Sequence, residues 1–101
     1  MNAPTDFVRV VGGVRYDASK ATLIAHDVYW DGNNMERHGR NTWLYRTPKG
    51  RYFSVTRTQW QGERDSLTPV TEEEARAMYE RLPEHAEEYE EAFPGATVED
   101  A

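Results

Sequence analysis

The chain has 101 residues, a formal net charge of -6 and no cysteine, so one domain with a modest core is expected, and disulfides, thiolate metal sites and thiol nucleophiles are excluded. No apolar run is long enough to cross a membrane as a helix, and the first residues lack the basic and apolar regions of a secretion signal, so a cytoplasmic protein is the expectation. The charge is uneven: residues 1–70 hold ten Lys and Arg against seven Asp and Glu, and residues 71–101 hold two against eleven, giving +3 and -9.

Met1 to Asp6 reads as a frayed, disordered leader. Phe7 to Val11 is a short β-type run, and Gly12-Gly13 makes a tight turn into Val14-Arg15-Tyr16, a second short strand. Asp17 is placed to cap one helical turn through Ala18 to Ala21. Thr22 to Trp30 has no clean period. Leu23, Ile24, Val28, Tyr29 and Trp30 favour a strand, whereas Ala18, Ala21, Leu23, Ile24 and Ala25 tolerate a helix, and the reading is a helical turn followed by a strand. Asp31-Gly32-Asn33-Asn34 carries turn chemistry, and the polar segment onward to Arg40 reads as an exposed loop.

The strongest signal is Asn41 to Thr58, two β-rich runs around Thr47-Pro48-Lys49-Gly50. Pro48 presets φ at the first central turn position, and Gly50 supplies the left-handed conformation that closes the loop. In that register Thr47 faces Arg51, Tyr45 faces Phe53 and Trp43 faces Val55. One face then carries Trp43, Tyr45, Phe53 and Val55, and the other carries Thr42, Leu44, Arg46, Tyr52, Ser54 and Thr56. Such alternation predicts one face in the core and one toward solvent or a partner.

Gln59 to Ser66 reads as a loop or frayed strand end, and Leu67 to Val70 leads into a helix over 71–82. Thr71 and Glu74 have capping-box spacing, Val70 and Ala75 are placed for a hydrophobic staple, and Ala75, Met78, Tyr79 and Leu82 form a stripe expected to pack on the Trp43 face. Pro83 then starts a second helix over 84–93, with Ala86, Tyr89 and Phe93 on one side, before Pro94-Gly95 ends it and 96–101 forms a disordered tail. The predicted fold is α+β over residues 7–95: a small antiparallel β-sheet, a meander with a central hairpin, followed by one or two C-terminal α-helices packed on one face.

No nucleophile, phosphate-loop or zinc motif is present. His26, His38 and His85 are scattered, and Gly12-Gly13 lacks the Lys and Ser or Thr of a phosphate loop. Asp27, Asp31 and Asn33 beside His26 lack the spacing of a calcium loop and read as an ordinary turn, and His85 with Glu88 reads as a solvated pair. No metal, cofactor or catalytic constellation is expected, which makes an enzyme the least favoured class.

Two charged surfaces remain. Glu72, Glu73, Glu80, Glu84, Glu87, Glu88, Glu90 and Glu91 fall off the apolar stripe and make a dense negative face suited to a basic groove of a protein partner. A solvated helix of good helix formers is the simpler account of the same residues. Arg46, Lys49, Arg51 and Arg57 beside Tyr52 are the types that pair phosphates and stack bases, although the acidic total argues against nucleic acid.

Three fragments taken together, Arg15 to Ala25, Trp43 to Phe53 and Leu67 to Arg76, resemble a group of short proteins without assigned activity that are encoded by bacteriophages and other mobile elements. The group's order is Tyr-Asp-Thr, then Leu-Tyr-Arg-Thr-Lys-Lys-Gly-x-Tyr-Phe, then Pro-Leu-Thr-Glu-Glu-Glu-Ala. The likeness covers most of Val14 to Leu82, with Ala18 in place of Thr, Pro48 in place of Lys, and an added acidic segment from Glu84 to Phe93. It brings turn, cap and core residues and no catalytic ones. What it implies is a setting in which small acidic proteins, anti-CRISPR proteins among them, inhibit host defence complexes by stoichiometric binding. The expected partner is then a host defence protein such as a CRISPR effector subunit, met by the acidic face. The alternatives are a nucleic-acid-binding accessory protein using the basic hairpin residues, and an assembly protein that self-associates through an exposed edge strand.

Overall fold

The computed structural model describes residues 4–27, 40–58, 64–96 and 98. The loop expected from Asp31 to Gly39, Trp60 and its neighbours, and most of the expected tail lie outside the described residues. A separate hairpin of β1 (Val8–Val11) and β2 (Val14–Asp17) leads through a 3-10 turn (Ala18–Lys20) to β3 (Thr22–His26). Then come β4 (Arg40–Arg46), β5 (Tyr52–Thr58), β6 (Ser66–Val70), α1 (Glu72–Arg81), β7 (Glu84–His85) and α2 (Tyr89–Ala92). The main sheet is antiparallel in the order β6-β5-β4-β3-β7, so the architecture is α+β.

The β4–β5 hairpin has the expected register: Trp43 faces Val55 and Tyr45 faces Phe53. Its turn closes through a Gly50 N–H to Thr47 carbonyl bond of 2.9 Å, with Gly50 at φ 83. In the β1–β2 turn both Gly12 (φ 59) and Gly13 (φ 79) take the positive φ that a two-residue hairpin of matching twist demands. Asp17 caps the 3-10 turn, its Oδ1 accepting from the Ser19 N–H at 2.9 Å.

Both faces of the sheet are buried, which corrects the expectation of one free face. Trp43, Tyr45, Phe53, Val55 and Leu67 pack with Tyr16 and Ala18, beneath the β1–β2 hairpin. On the reverse, Leu44, Tyr52, Ile24 and Ala25 pack with Ala75, Tyr79, Leu82, Ala92 and Phe93. The α1 stripe therefore lies on the Leu44–Tyr52 face rather than the Trp43 face. The physical reason is that both parities of the strands are apolar enough to bury, so alternation alone does not say which face takes the helix. A register shift between Leu23 and Ala25 turns Ile24 and Ala25 together into the helix-side core. That bulge breaks the period within Thr22 to His26, while Val28 to Trp30 lie outside the described residues.

The α1 start is as expected. The Thr71 Oγ1 accepts from the Glu74 N–H at 3.1 Å, and the Glu74 carboxylate accepts from the Thr71 N–H at 2.9 Å, which holds the Glu74 carboxyl below its usual pKa. The residues leading into α1 are themselves a strand, β6, in which Pro69 pairs with Phe53 on the outer edge of the sheet.

The expected second helix over 84–93 is replaced by β7 and the single turn of α2. Leu82, before Pro83, is held extended at φ -73 and ψ 127. The chain then pairs with the open side of β3, His85 opposite Ala25, and the Ala86 N–H donates to the Ile24 carbonyl at 3.0 Å. This folds the segment back so that Ala92 and Phe93 complete the helix-side core.

The leader is likewise more engaged than expected from Pro4 to Asp6, while Met1 to Ala3 lie outside the described residues. Pro4 is buried and its carbonyl accepts from the Tyr45 hydroxyl at 2.6 Å, and Asp6 pairs with Arg57 at 3.0 Å. Burial pushes the Tyr45 phenol up to about 12 against a slight opposing pull from Arg57. A folded-state pKa above the unfolded value near 10 means stability that is fully present below pH 10 and lost as pH rises toward 12. In a comparison of chemical denaturation at pH 8 and pH 11, Tyr45→Phe is expected to lose less stability between the two than the native chain does.

Candidate interaction surfaces

The charged residues sort into those engaged within the fold and those left facing outward. Arg46 belongs to the first group: its Nη1 donates to Glu87 Oε1 at 2.7 Å and to the Glu91 carbonyl at 2.6 Å, and its Nη2 donates to Glu87 Oε2 at 3.3 Å. With side-chain exposures of 20% and 18%, this two-pronged pair is shielded enough to matter. Arg46→Ala is expected to lower the unfolding free energy by about 2–3 kcal/mol in urea denaturation, because it strands the Glu87 carboxylate and a backbone carbonyl. A loss below about 0.5 kcal/mol would mark the pair as a surface contact of no consequence.

Tyr52 is also engaged. It is 4% exposed, its hydroxyl donates to the Ala92 carbonyl at 2.9 Å, and its ring meets Phe93 at 5.2 Å. Arg57 lies between Asp6 and Asp65, on the opposite face of the strand from Tyr52. The expected basic surface of Arg46, Lys49, Arg51, Tyr52 and Arg57 is thus not one surface. Arg46 and Tyr52 fasten the C-terminal segment, Arg57 fastens the N-terminal one, and only Lys49 and Arg51 remain at the exposed hairpin tip. The sequence shows the cations and the aromatic but not the distant carboxylates and the two carbonyls that engage them.

The acidic residues gather on the helix-bearing side, since α1 and the 84–93 segment pack on the same core. Glu72, Glu73, Glu80, Glu84, Glu88 and Glu90 are exposed, and among the described residues none forms an ion pair. Glu87 and Glu91 differ. The first belongs to the Arg46 pair, and the Oε1 of the second accepts from the Glu88 N–H at 3.1 Å. Tyr79 registers the local field: burial raises its phenol pKa, and the charges of Glu88, Glu90, Glu87 and Glu91 raise it further.

Tyr79 also organises this side. Its hydroxyl donates to the Glu87 carbonyl at 2.7 Å, its carbonyl accepts from His85 Nε2 at 2.7 Å, and the two rings stack at 3.9 Å. His85 is therefore a structural latch, off the helix on which it was expected to share a face with Glu88. Asp27, weighed as a metal ligand, accepts at Oδ1 from the Thr42 N–H at 2.8 Å and from Asn41 Nδ2 at 3.4 Å, while Asp31 and Asn33 lie outside the described residues. Among the described residues no cluster of His, Asp or Glu is arranged to hold a metal ion, and no helix is long and apolar enough to cross a membrane.

No family model matches the chain, and no curated protein or solved structure matches it either.

Proposed function

We propose that the protein is a non-catalytic binding protein whose acidic side docks on a basic, nucleic-acid-binding surface of a protein partner. In the mobile-element setting that the sequence resemblance implies, that partner is a host defence protein such as a CRISPR effector subunit, and the outcome of docking is inhibition. The observation that carries this reading is the row of exposed carboxylates, Glu72, Glu73, Glu80, Glu84, Glu88 and Glu90, none of which forms an ion pair among the described residues, with only Arg76 and Arg81 as cations on the same helix. They stand on an α-helix and a segment latched by Tyr79, so their spacing is fixed before binding and little ordering entropy is lost. A fixed negative surface of this kind speeds encounter with a basic groove and occupies positions that phosphates would take. Engagement of Arg46, Tyr52 and Arg57 within the fold speaks against the hairpin as a nucleic-acid reader.

The test is affinity capture from lysate of a host that carries its own defence systems, at low and high salt. Alongside the native chain runs a variant with Glu73, Glu80, Glu84, Glu88 and Glu90 changed to Gln, sparing Glu74, Glu87 and Glu91, which hold the fold. The expected result is salt-sensitive recovery of a nucleic-acid-binding protein by the native chain, at least about ten-fold less by the variant at unchanged melting temperature. Equal recovery by both proteins would sink the acidic-face reading.

A further inference from the structure

The described residues also form a cleft of about 440 Å³ where the β1–β2 hairpin and the 3-10 turn meet the β4–β5 turn. Arg15 and Lys20 reach it from one side, Lys49 and Arg51 from the other, with Gly13, Val14, Thr47 and Pro48 forming the walls. Both lysines of the chain are in this lining. All of these cations are exposed, and among the described residues none has a side-chain hydrogen bond or an ion pair within 4.0 Å, in contrast to Arg9, Arg46 and Arg57. The one carboxylate among the described lining residues, Asp17, accepts at Oδ1 from the Ser19 N–H at 2.9 Å and the Ser19 hydroxyl at 2.6 Å, and it also feels the charges of Lys20 and Arg15, so it offsets part of the positive charge of the cleft.

We infer that this cleft binds the polyphosphate chain of a small anion, of the kind carried by a nucleoside triphosphate. Four exposed cations converge on one concavity against a single carboxylate among the described lining residues, which gives it a local positive field in a chain of net charge -6. Arginine forks and lysine point charges are the groups that hold phosphate oxygens. The volume lies in the range of small-molecule sites. Among the described residues no aromatic side chain lines the cleft, so none of them stacks a base there, and recognition rests on the phosphates. This site lies on the β1–β2 hairpin side of the sheet and does not depend on the acidic face.

The experiment is a two-dimensional NMR titration of the isotope-labelled full chain at low salt with sodium tripolyphosphate, ATP, GTP and an oligothymidylate. Saturable shifts of the amides of Gly13 to Lys20 and Thr47 to Arg51 are expected with the first three probes, at similar dissociation constants. Lys20→Glu with Lys49→Glu should weaken binding by at least about ten-fold, and Asp17→Asn should tighten it. A preference of ATP over GTP and tripolyphosphate beyond about ten-fold would overturn the base-blind recognition. Absence of saturable shifts in those segments, shifts that survive the charge reversal, or tighter binding of the oligothymidylate at the same amides would each overturn the assignment.

Discussion

Phe53→Ala is expected to lower the unfolding free energy by about 3–5 kcal/mol, a large share of the roughly 5–15 kcal/mol available to a domain of this size. Phe53 is fully buried on β5, between β4 and β6 in the sheet. Its ring stacks on Tyr45 at 5.1 Å and meets Tyr16 edge-on at 5.7 Å. These neighbours come from β4 and β2, so truncation leaves a cavity bounded by two sheets, and neither backbone can close it without breaking a ladder. Urea denaturation is the measurement. The midpoint should fall with the slope unchanged, and Phe53→Leu should recover much of the loss. A decrease under about 1 kcal/mol would mean that the Trp43 side is loosely packed and not the core described.

Phe93→Ala is expected to cost about 3–5 kcal/mol as well, with a different signature. Phe93 lies against Tyr52 at 5.2 Å, Tyr79 at 5.7 Å and Tyr89 at 5.1 Å. It is the apolar anchor of a segment whose other fasteners are the Arg46 pair, the Tyr52 hydroxyl, the contacts of Tyr79 with Glu87 and His85, and the short pairing of β7 with β3. Without it those fasteners hold little surface in place. Amide exchange at Ala86, Ala92 and Phe93 should accelerate by orders of magnitude while amides of β4 and β5 stay protected. Uniform acceleration throughout the sheet would instead show that the segment unfolds only together with the rest.

What the sequence made legible was local. The hairpin register follows from Pro48 and Gly50, the α1 start from Thr71 and Glu74, and the 3-10 turn from Asp17, because each is decided within a few residues. The choice of face for α1 is non-local. Leu44 and Tyr52 are as suited to burial as Trp43 and Phe53, and only the placement of the β1–β2 hairpin decides between them. The second helix misled because Ala86, Tyr89 and Phe93 keep helical spacing, while the open side of β3 offered backbone pairing at Glu84 and His85. The same blindness to distance assigned Arg46, Tyr52 and Arg57 to an outer surface. Of the basic cleft, Lys49 and Arg51 were visible as hairpin-tip cations, whereas Arg15 and Lys20 join them only through tertiary structure.

The long-range fasteners also set a timetable for folding. Arg9 reaches the Leu67 carbonyl across 58 positions, Asp6 reaches Arg57 across 51, and Tyr52 reaches Ala92 across 40. Closing such large loops is slow, so the β4–β5 hairpin forms early by local contacts and the outer layers close afterwards. As the chain leaves the ribosome, the cover for the Trp43 face has already been made, whereas the cover for Leu44 and Tyr52 is complete only when Phe93 has emerged. A nascent chain halted before that residue carries its central sheet with one greasy side open, and in that interval it is a substrate for chaperones and proteases.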